Sequence, residues 1–148
     1  MKKIKLSQGK FALIDDEDYD LVSSLRWHTH NEGYASHTTA TGKLLMHNLI
    51  MGASPIDHIN GDKLDNRKSN LRLCTPSQNL ANVPGRKGTS DYKGVSWREK
   101  HGKWVAQISH NCKKYHIGLF KTEIEAARAY NKKARELFGE FAYINKGI

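Results

Sequence analysis

The stretch Ser54–Ala81, SPIDHINGDKLDNRKSNLRLCTPSQNLA, carries the densest group of polar and turn-forming residues in the chain. Its Asp-His pair, Asp57-His58, lies between two isoleucines in a short segment that is typical of a strand. Asn60-Gly61 predicts a turn because both residues tolerate positive φ, and the charged segment 62–69 predicts a loop. Residues 70–74 contain a short apolar run and predict a second strand.

The end of this stretch predicts the first turn of a helix. Thr75 can accept a hydrogen bond from a first-turn N–H, Gln78 can reach back as in a capping box, and Pro76 suits the first helical position. Pro84-Gly85 predicts the end of this helix. The predicted order is strand, loop, strand, helix, with Asn79 on the helix.

The side-chain chemistry of this stretch suits phosphodiester hydrolysis. That reaction needs a nucleophile made from water and a cation near the oxygens where charge accumulates. A histidine is a suitable base near pH 7, and a carboxylate with a carboxamide oxygen suits a hard cation such as Mg²⁺. The alternative is plain polar surface, because isolated Asp-His pairs and Asn-Gly turns are common in loops.

The ordered set Asp57-His58, Asn70 and Asn79 resembles the HNH nucleases, the ββα-metal (His-Me finger) family, and in particular its phage and intron-encoded members. The resemblance implies that His58 activates water and that Asp57 and Asn79 hold a divalent metal, Mg²⁺ or alternatively Mn²⁺. It also implies that Asn70 braces the loop and orients His58. The last ligand position is Asn rather than the second His of the wider family, which argues against a soft metal.

Composition limits the class of protein. The chain has 148 residues, 38% of them hydrophobic and 26% charged, which is enough for one medium domain or two small ones. No apolar run approaches the length of a membrane span, and residues 1–7 lack the apolar core of a signal peptide. Cys74 and Cys112 form no CxxC motif, so we expect free thiols in a reducing cytoplasm, that of a bacterial or phage-infected host cell.

The positive charge is concentrated in the second half of the chain. Residues 1–85 carry ten Lys and Arg against nine Asp and Glu, a net +1, whereas residues 86–148 carry fourteen against six, a net +8. Such an imbalance favours a polyanion partner, with a bias toward solubility as the alternative.

The N-terminal half is predicted to surround the central stretch with small elements. Residues 1–14 predict a strand, turn and strand, and a second hairpin is predicted around Asn31-Glu32-Gly33. A short helix is predicted over 44–52, with Leu45 and Leu49 packed inward and Met46 as a further candidate for this face. His47 on this helix has two interpretations, a second catalytic role and a role in packing or contact with the DNA backbone.

The C-terminal part predicts a three-stranded antiparallel sheet with one helix across its back. Alternating polarity marks the strands, and a capping box at Thr122 and Glu125 begins the helix. The predicted fold class is α+β: a nuclease domain at 1–83 with its core motif at 54–83, a linker at 84–91, and a DNA-binding domain at 92–148. In the linker, Arg86 and Lys87 are predicted to contact DNA phosphates.

Residues 92–145 resemble the Apetala-two/ethylene-response-factor DNA-binding domain. The matching segments are Tyr92-Lys93-Gly94-Val95, Lys103-Trp104-Val105-Ala106, Ile117-Gly118-Leu119-Phe120, Glu125-Ala126-Ala127-Arg128-Ala129-Tyr130 and Asn145. Such domains place the sheet in the major groove. The resemblance implies that the following residues face DNA: Lys93, Ser96, Arg98, Gln107, Ser109, Lys114 and His116. Plant members carry more Arg on this face, so we expect looser base specificity here.

The combined prediction is a site-directed, metal-dependent endonuclease of phage or homing type that acts on double-stranded DNA. One site cuts one strand, so a monomer nicks and a homodimer is needed for a double-strand break. The alternatives are a non-catalytic, sequence-specific DNA-binding regulator and an RNA-binding factor. A sheet that reads a major groove argues against RNA, because the A-form major groove is too narrow.

Overall fold

The computed structural model describes residues 1–85 and 88–148, which form two compact units, Met1–Thr75 and Pro76–Ile148. Both units combine antiparallel strands with separate helices, which confirms the predicted α+β class. The predicted phosphate contacts Arg86 and Lys87 lie outside the described residues. No helix in the described ranges is long and apolar enough to cross a membrane.

The first unit consists of three small antiparallel sheets and two short helices. Its elements are β1 (Lys2–Lys5), β2 (Phe11–Ile14), α1 (Tyr19–Ser23), β3 (His28–Thr29), β4 (Ala35–Thr39), β5 (Gly42–Leu45), α2 (Met46–Met51), β6 (Ile56–His58) and β7 (Leu71–Leu73). β1 pairs with β2, β6 pairs with β7, and β4 lies between β3 and β5. The predicted hairpins at 1–14 and around Asn31–Gly33 are therefore confirmed.

One apolar core connects these elements. Ile4 on β1 and Ala12 and Ile14 on β2 are buried, because alternate side chains of a strand share one face. Trp27 is 3% exposed and donates its indole N–H to the carbonyl oxygen of Val22 at 2.8 Å, which satisfies its polar atom inside the core. The core extends to α2, β6 and β7.

The segment 44–52 was predicted to be a single helix. In the structure it is the end of a strand followed by a helix. Leu45 ends β5, where it pairs with Ser36 of β4, and α2 begins at Met46. Pairing with β4 satisfies the backbone groups of this strand and outweighs its helical preference. Gly52 ends α2 in the left-handed conformation, with φ of 61°, as predicted.

The buried face of α2 includes a histidine. Met46, His47 and Ile50 are buried, whereas Leu45 and Leu49, which were predicted to point inward, are half-buried. His47 is 4% exposed, and its Nδ1 atom is buried without a hydrogen-bond partner among the described residues. This histidine is therefore part of the core of the first unit.

The second unit contains α3 (Pro76–Asn82), β8 (Val95–Arg98), β9 (Lys103–His110), β10 (Lys113–Phe120) and α4 (Glu123–Phe138). The three strands form the predicted antiparallel sheet, in the order β10-β9-β8. The predicted capping box begins α4: the Thr122 hydroxyl accepts from the Glu125 N–H at 3.2 Å, and the Glu125 carboxylate accepts from the Thr122 N–H at 3.1 Å.

Small residues bring α4 and the sheet together. Ala126 and Ala127 on α4 share a core cluster with Val95 on β8 and Ala106 on β9. A second cluster combines Ile108, Tyr130 and Ala134. Alanines on the helix allow close approach to the strands, and the larger Ile108 and Tyr130 fill the space beside them.

The boundary between the units differs from the predicted domain boundaries. The predicted nuclease domain at 1–83 includes α3, whereas α3 groups with the C-terminal unit. The backbone N–H of Tyr143, after α4, donates to the carbonyl oxygen of Ala81 on α3 at 3.2 Å. The two residues lie 62 positions apart along the chain, so a local sequence pattern could not predict this contact.

Replacing Gly94 with alanine should destabilise the second unit by about 3–5 kcal/mol. Gly94 has φ of +76°, and a Cβ atom there would overlap the Tyr130 ring and the carbonyl oxygen of Gln107. Urea unfolding of the full chain measures the loss, and amide exchange in β9 identifies the unit that unfolds. Gly102 is the matched control, because it has φ of +55° but open space around its Cβ position. Its replacement should cost only about 1–2 kcal/mol, and equal losses at the two positions would contradict the predicted clash.

Acidification should destabilise the first unit through His47. Burial, with a smaller contribution from His58, lowers the pKa of His47 from 6.5 to about 4. Between these values the unfolded chain binds the proton and the folded chain does not. The free energy of unfolding should therefore fall by about 3 kcal/mol as pH drops from 6.5 to 4. Urea unfolding at each pH measures the free energy of unfolding, and amide exchange in β2 shows that the first unit is the part affected. The free energy should fall less in His47→Gln than in the parent protein. An identical fall in the parent and the variant would contradict this assignment.

Candidate functional site

The Asp-His pair of the central stretch lies on β6. Asp57 and His58 are each 4% exposed, and β6 pairs with β7 so that Asp57 is opposite Arg72 and His58 is opposite Leu71. Because a charged or polar side chain loses its water on burial, each of these two residues needs a partner within the protein.

Asp57 finds its partner across the strand pair. The Nη2 and Nε atoms of Arg72 lie 2.7 Å and 2.9 Å from Oδ2 of Asp57. The side chain of Asp57 is 5% exposed and that of Arg72 is 12% exposed, so little water screens this ion pair. Arg72 was not singled out from the sequence. Its opposite charge on the neighbouring predicted strand was the signal that could have identified it.

His58 is oriented by Asn66. Its Nε2 lies 3.1 Å from Oδ1 of Asn66, which is fully buried. The Asn66 amide nitrogen donates to Sδ of Met46 at 3.5 Å and to the carbonyl oxygen of Leu64 at 3.4 Å, which directs its oxygen toward His58. His58 therefore donates from Nε2, and in the neutral ring Nδ1 carries the lone pair.

The surroundings of His58 favour its neutral form. Burial lowers its pKa, and this effect exceeds the opposing effects of the Asn66 hydrogen bond and of the carboxylates of Asp57, Asp62 and Asp65. A neutral imidazole with a fixed tautomer can accept a proton near pH 7.

Two rings pack beside His58. The ring of His47 lies edge-on to that of His58, with centroids 4.9 Å apart, and the ring of Tyr34 lies 5.7 Å from His58 and 5.1 Å from His47. Lys63 places its ammonium 4.5 Å from the centroid of the Tyr34 ring. His47 thus packs directly against the proposed base.

Asn70 braces the loop between β6 and β7. Its Oδ1 accepts from the backbone N–H of Asn60 at 2.9 Å, and its Nδ2 donates to the carbonyl oxygen of Asp65 at 2.8 Å. Asp65 in turn accepts from Arg67 at 2.7 Å and 2.6 Å and from the Asn60 amide at 3.0 Å. The Asn70 side chain is thus engaged with the loop, and the side chain at Nε2 of His58 is that of Asn66, which sequence reasoning did not single out.

The predicted metal ligands are found in separate compact units. Asp57 lies on β6 in the first unit, and Asn79 lies half-buried on α3 in the second. Across the described ranges, no group of three or more His, Cys, Asp and Glu side chains could hold a metal ion. A carboxylate with a carboxamide fits a hard cation that keeps several waters rather than a fully protein-bound metal.

The sheet of the second unit gathers most of the predicted DNA-facing residues on one face. Paired residues share a face, and the register pairs Ser96 with Val105, Gln107 with His116 and Ser109 with Lys114. The residues on this face are Ser96, Arg98, Gln107, Ser109, Lys114 and His116, together with Lys103, Val105 and Leu119. Sequence reasoning did not select the last three.

The centre of this face is a shallow cavity of about 350 Å³, lined in part by Arg98, Gln107 and His116. Arg98 and His116 are exposed, whereas Oγ of Ser96 is buried without a hydrogen-bond partner among the described residues. The cavity presents guanidinium, carboxamide and imidazole groups together, which are groups that bind base edges and phosphates.

Lys93 differs from the other predicted DNA contacts. Its ammonium donates to the carbonyl oxygens of Ala81 at 2.8 Å and Val83 at 2.6 Å. Burial lowers the pKa of Lys93 to about 8. The side chain is therefore engaged with the end of α3.

Comparison with known proteins agrees with both halves of this description. The HNH endonuclease family model matches residues 52–81, and the AP2 domain model matches residues 90–140. An uncharacterised HNH endonuclease of Acanthamoeba polyphaga mimivirus is 36% identical over 148 residues, covering 94% of this chain and 76% of the relative. An ethylene-responsive transcription factor of Arabidopsis thaliana is 33% identical over 146 residues, covering 94% of this chain and 84% of the relative.

A shorter relative comes from a virus of bacteria. Protein 3.8 of an Escherichia phage is 33% identical over 88 residues, covering 59% of this chain and 72% of the relative.

The match to the mimivirus protein spans most of both chains, and the two family models match the stretches that carry the motifs. The chain therefore belongs to the HNH endonuclease family and carries an AP2 domain in its C-terminal half.

Proposed function

We propose that the chain is a metal-dependent DNA endonuclease that nicks double-stranded DNA at sites selected by its C-terminal sheet. In this proposal β6, β7 and α3 are the ββα-metal unit of the family. The observation that carries it is His58, a buried imidazole whose pKa is lowered and whose tautomer is fixed by Asn66.

His58 is the proposed general base. With Nε2 donating to Asn66, Nδ1 accepts a proton from a water molecule as that water attacks the phosphorus atom. The bond from phosphorus to the 3′-oxygen breaks, and this oxygen takes a proton from solvent. The products have a 5′-phosphate and a 3′-hydroxyl end, as the family resemblance implies.

Asp57 and Asn79 are the proposed ligands of a divalent cation, Mg²⁺ with Mn²⁺ as the alternative. When bound, this cation supplies positive charge that stabilises the departing 3′-oxygen. Arg72 holds the Asp57 carboxylate in place through Oδ2. The oxygen-only donor set fits a hard, partly hydrated ion.

The exposed face of the C-terminal sheet is the proposed DNA reader. Lys114 supplies positive charge for phosphate binding, which weakens with added salt. Arg98 and Gln107 line the same cavity and have the side-chain groups that read guanine and adenine edges. The major-groove position of this face follows from the AP2 resemblance.

A second candidate is a DNA-binding regulator without cleavage. The observation that favours it is the similarity to a transcription factor over 94% of this chain. Such a protein would bind DNA equally well with Mg²⁺ and with EDTA and would leave plasmid DNA intact.

Replacing His58 with alanine should slow nicking at least about 100-fold and leave DNA affinity nearly unchanged, because the base acts on water rather than on DNA binding. The measurement is conversion of supercoiled plasmid to open circles, with Mg²⁺ and with EDTA. Open circles that require both the metal and His58 support the nuclease. Intact plasmid that still shifts on a gel, on DNA shown to contain a bound site, supports the regulator. Equal losses of nicking and binding would contradict the role assigned to His58.

Replacing Asn66 with leucine should slow nicking about 100-fold, because His58 loses the acceptor that fixes its orientation. The fully buried side chain should also lower thermal stability, which is measured separately. The control is the double variant His58→Ala with Asn66→Leu. If Asn66 acts through His58, the double variant nicks no more slowly than His58→Ala alone. A further loss in the double variant would show that Asn66 has a separate role.

A further inference from the structure

Helix α3 depends on contacts outside itself. It spans seven residues, Pro76–Asn82, and Ala81 is its buried residue. Leu80 on the same helix is 72% exposed. Helices of this length are marginal in isolation, and their last carbonyl groups have no partner within the helix.

Lys93 supplies partners for carbonyl groups at the end of α3, in addition to the backbone N–H of Tyr143, which donates to Ala81. Its ammonium lies 2.8 Å from the carbonyl oxygen of Ala81, 2.6 Å from that of Val83 and 3.5 Å from that of Leu80. It also lies 5.4 Å from the centroid of the Tyr143 ring. A cation at the C-terminal end of a helix is favourable because the carbonyl groups there carry partial negative charge.

The backbone of Lys93 is fixed to α4 through two buried asparagines. Its N–H donates to Oδ1 of Asn145 at 2.8 Å, and its carbonyl oxygen accepts from Nδ2 of Asn145 at 3.2 Å. Asn145 exchanges two further hydrogen bonds with Asn131 of α4, at 2.8 Å and 2.9 Å. Asn131 and Asn145 are 6% and 4% exposed, so water competes little for these bonds.

We propose that Lys93 is a positioning residue: it caps α3 from within the AP2 domain and thereby holds the helix that carries Asn79. The inference rests on the proposed role of Asn79 as a metal ligand. It differs from the DNA contact that the family resemblance implies for Lys93. An ammonium bonded to carbonyl oxygens and half-buried would have to give up those bonds to reach a phosphate.

This arrangement links DNA binding to the metal site. Lys93 lies two residues before Val95, the first residue of β8, and β8 carries Ser96 and Arg98 on the proposed DNA-reading face. In this proposal, DNA contacts on β8 restrict the motion of Lys93 and thereby strengthen its cap on α3. By linkage, a metal bound at Asn79 strengthens DNA binding by the same factor as DNA strengthens metal binding.

The test replaces Lys93 with methionine, which keeps the length of the side chain and removes the ammonium. In EDTA, where no metal contributes to binding, we expect unchanged DNA affinity and an unchanged salt dependence of binding. We also expect faster amide exchange at the end of α3, and an Mg²⁺ concentration for half-maximal nicking that is about tenfold higher at saturating DNA. Lys93→Arg, which retains donors for the carbonyl groups, should restore most of the slow exchange and of the Mg²⁺ response.

Lys114→Met is the matched control, because Lys114 is an exposed lysine on the proposed DNA-reading face. It should weaken DNA binding and reduce the slope of log affinity against log salt by about one. Exchange in α3 should stay as in the parent chain. If Lys93→Met behaves like Lys114→Met and leaves α3 exchange unchanged, Lys93 is a DNA contact and the inference is wrong.

The outcomes also separate this inference from the proposed nuclease function. If the parent chain fails to nick with any divalent metal, the nuclease proposal fails. Amide exchange in α3 then still decides whether Lys93 caps the helix. Titration of the parent protein and of Lys93→Met with Mn²⁺, monitored by the electron paramagnetic resonance signal of free Mn²⁺, decides whether the cap affects metal binding. Exchange that is unchanged in Lys93→Met would overturn the inference even in an active nuclease.

Discussion

Burial of two polar side chains on a three-residue strand sets the conditions for the rest of the first unit. Asp57 and His58 on β6 are each 4% exposed, and a buried carboxylate or imidazole without a partner would cost several kcal/mol. Arg72 on β7 and Asn66 in the intervening loop satisfy them. The β6–β7 register and the path of the loop therefore follow from the same requirement. The loop is a structural part of the site, and it brings a carboxamide back to the imidazole that the strand displays.

Local patterns in the sequence were sufficient for the order of elements around this site. The turn signal at Asn60-Gly61 and the helix-start signal at Thr75-Pro76 each span a few residues, and the structure has the predicted strand, loop, strand and helix. Asn66 was not identified from the sequence, because the orientation of its side chain depends on a hydrogen bond to Met46, which lies 20 residues away. Leu45 was misassigned to a helix for the same reason: its pairing with Ser36 depends on a neighbouring strand.

The second unit shows the same limit in another form. Alternation of side chains along a strand has a period of two residues, so Gln107 and Ser109 could be placed on one face from the sequence, and the register agrees. Lys93 precedes the first strand, and no period constrains its direction. The partners of Lys93 lie at the end of α3, ten to thirteen residues earlier in the chain. A family resemblance assigned it to DNA, whereas its ammonium contacts helix carbonyl oxygens.

The position of α3 in the C-terminal unit makes this helix depend on contacts from that unit. A seven-residue helix with one buried side chain contributes little stability by itself. Lys93, which lies in the AP2 domain, caps this helix. The HNH motif at residues 52–81 therefore depends on the AP2 domain for its last element, α3. In our proposal, this dependence favours cleavage by molecules whose DNA-reading sheet is properly formed. In that proposal Lys93 and the backbone N–H of Tyr143, which both donate to Ala81, hold this helix together.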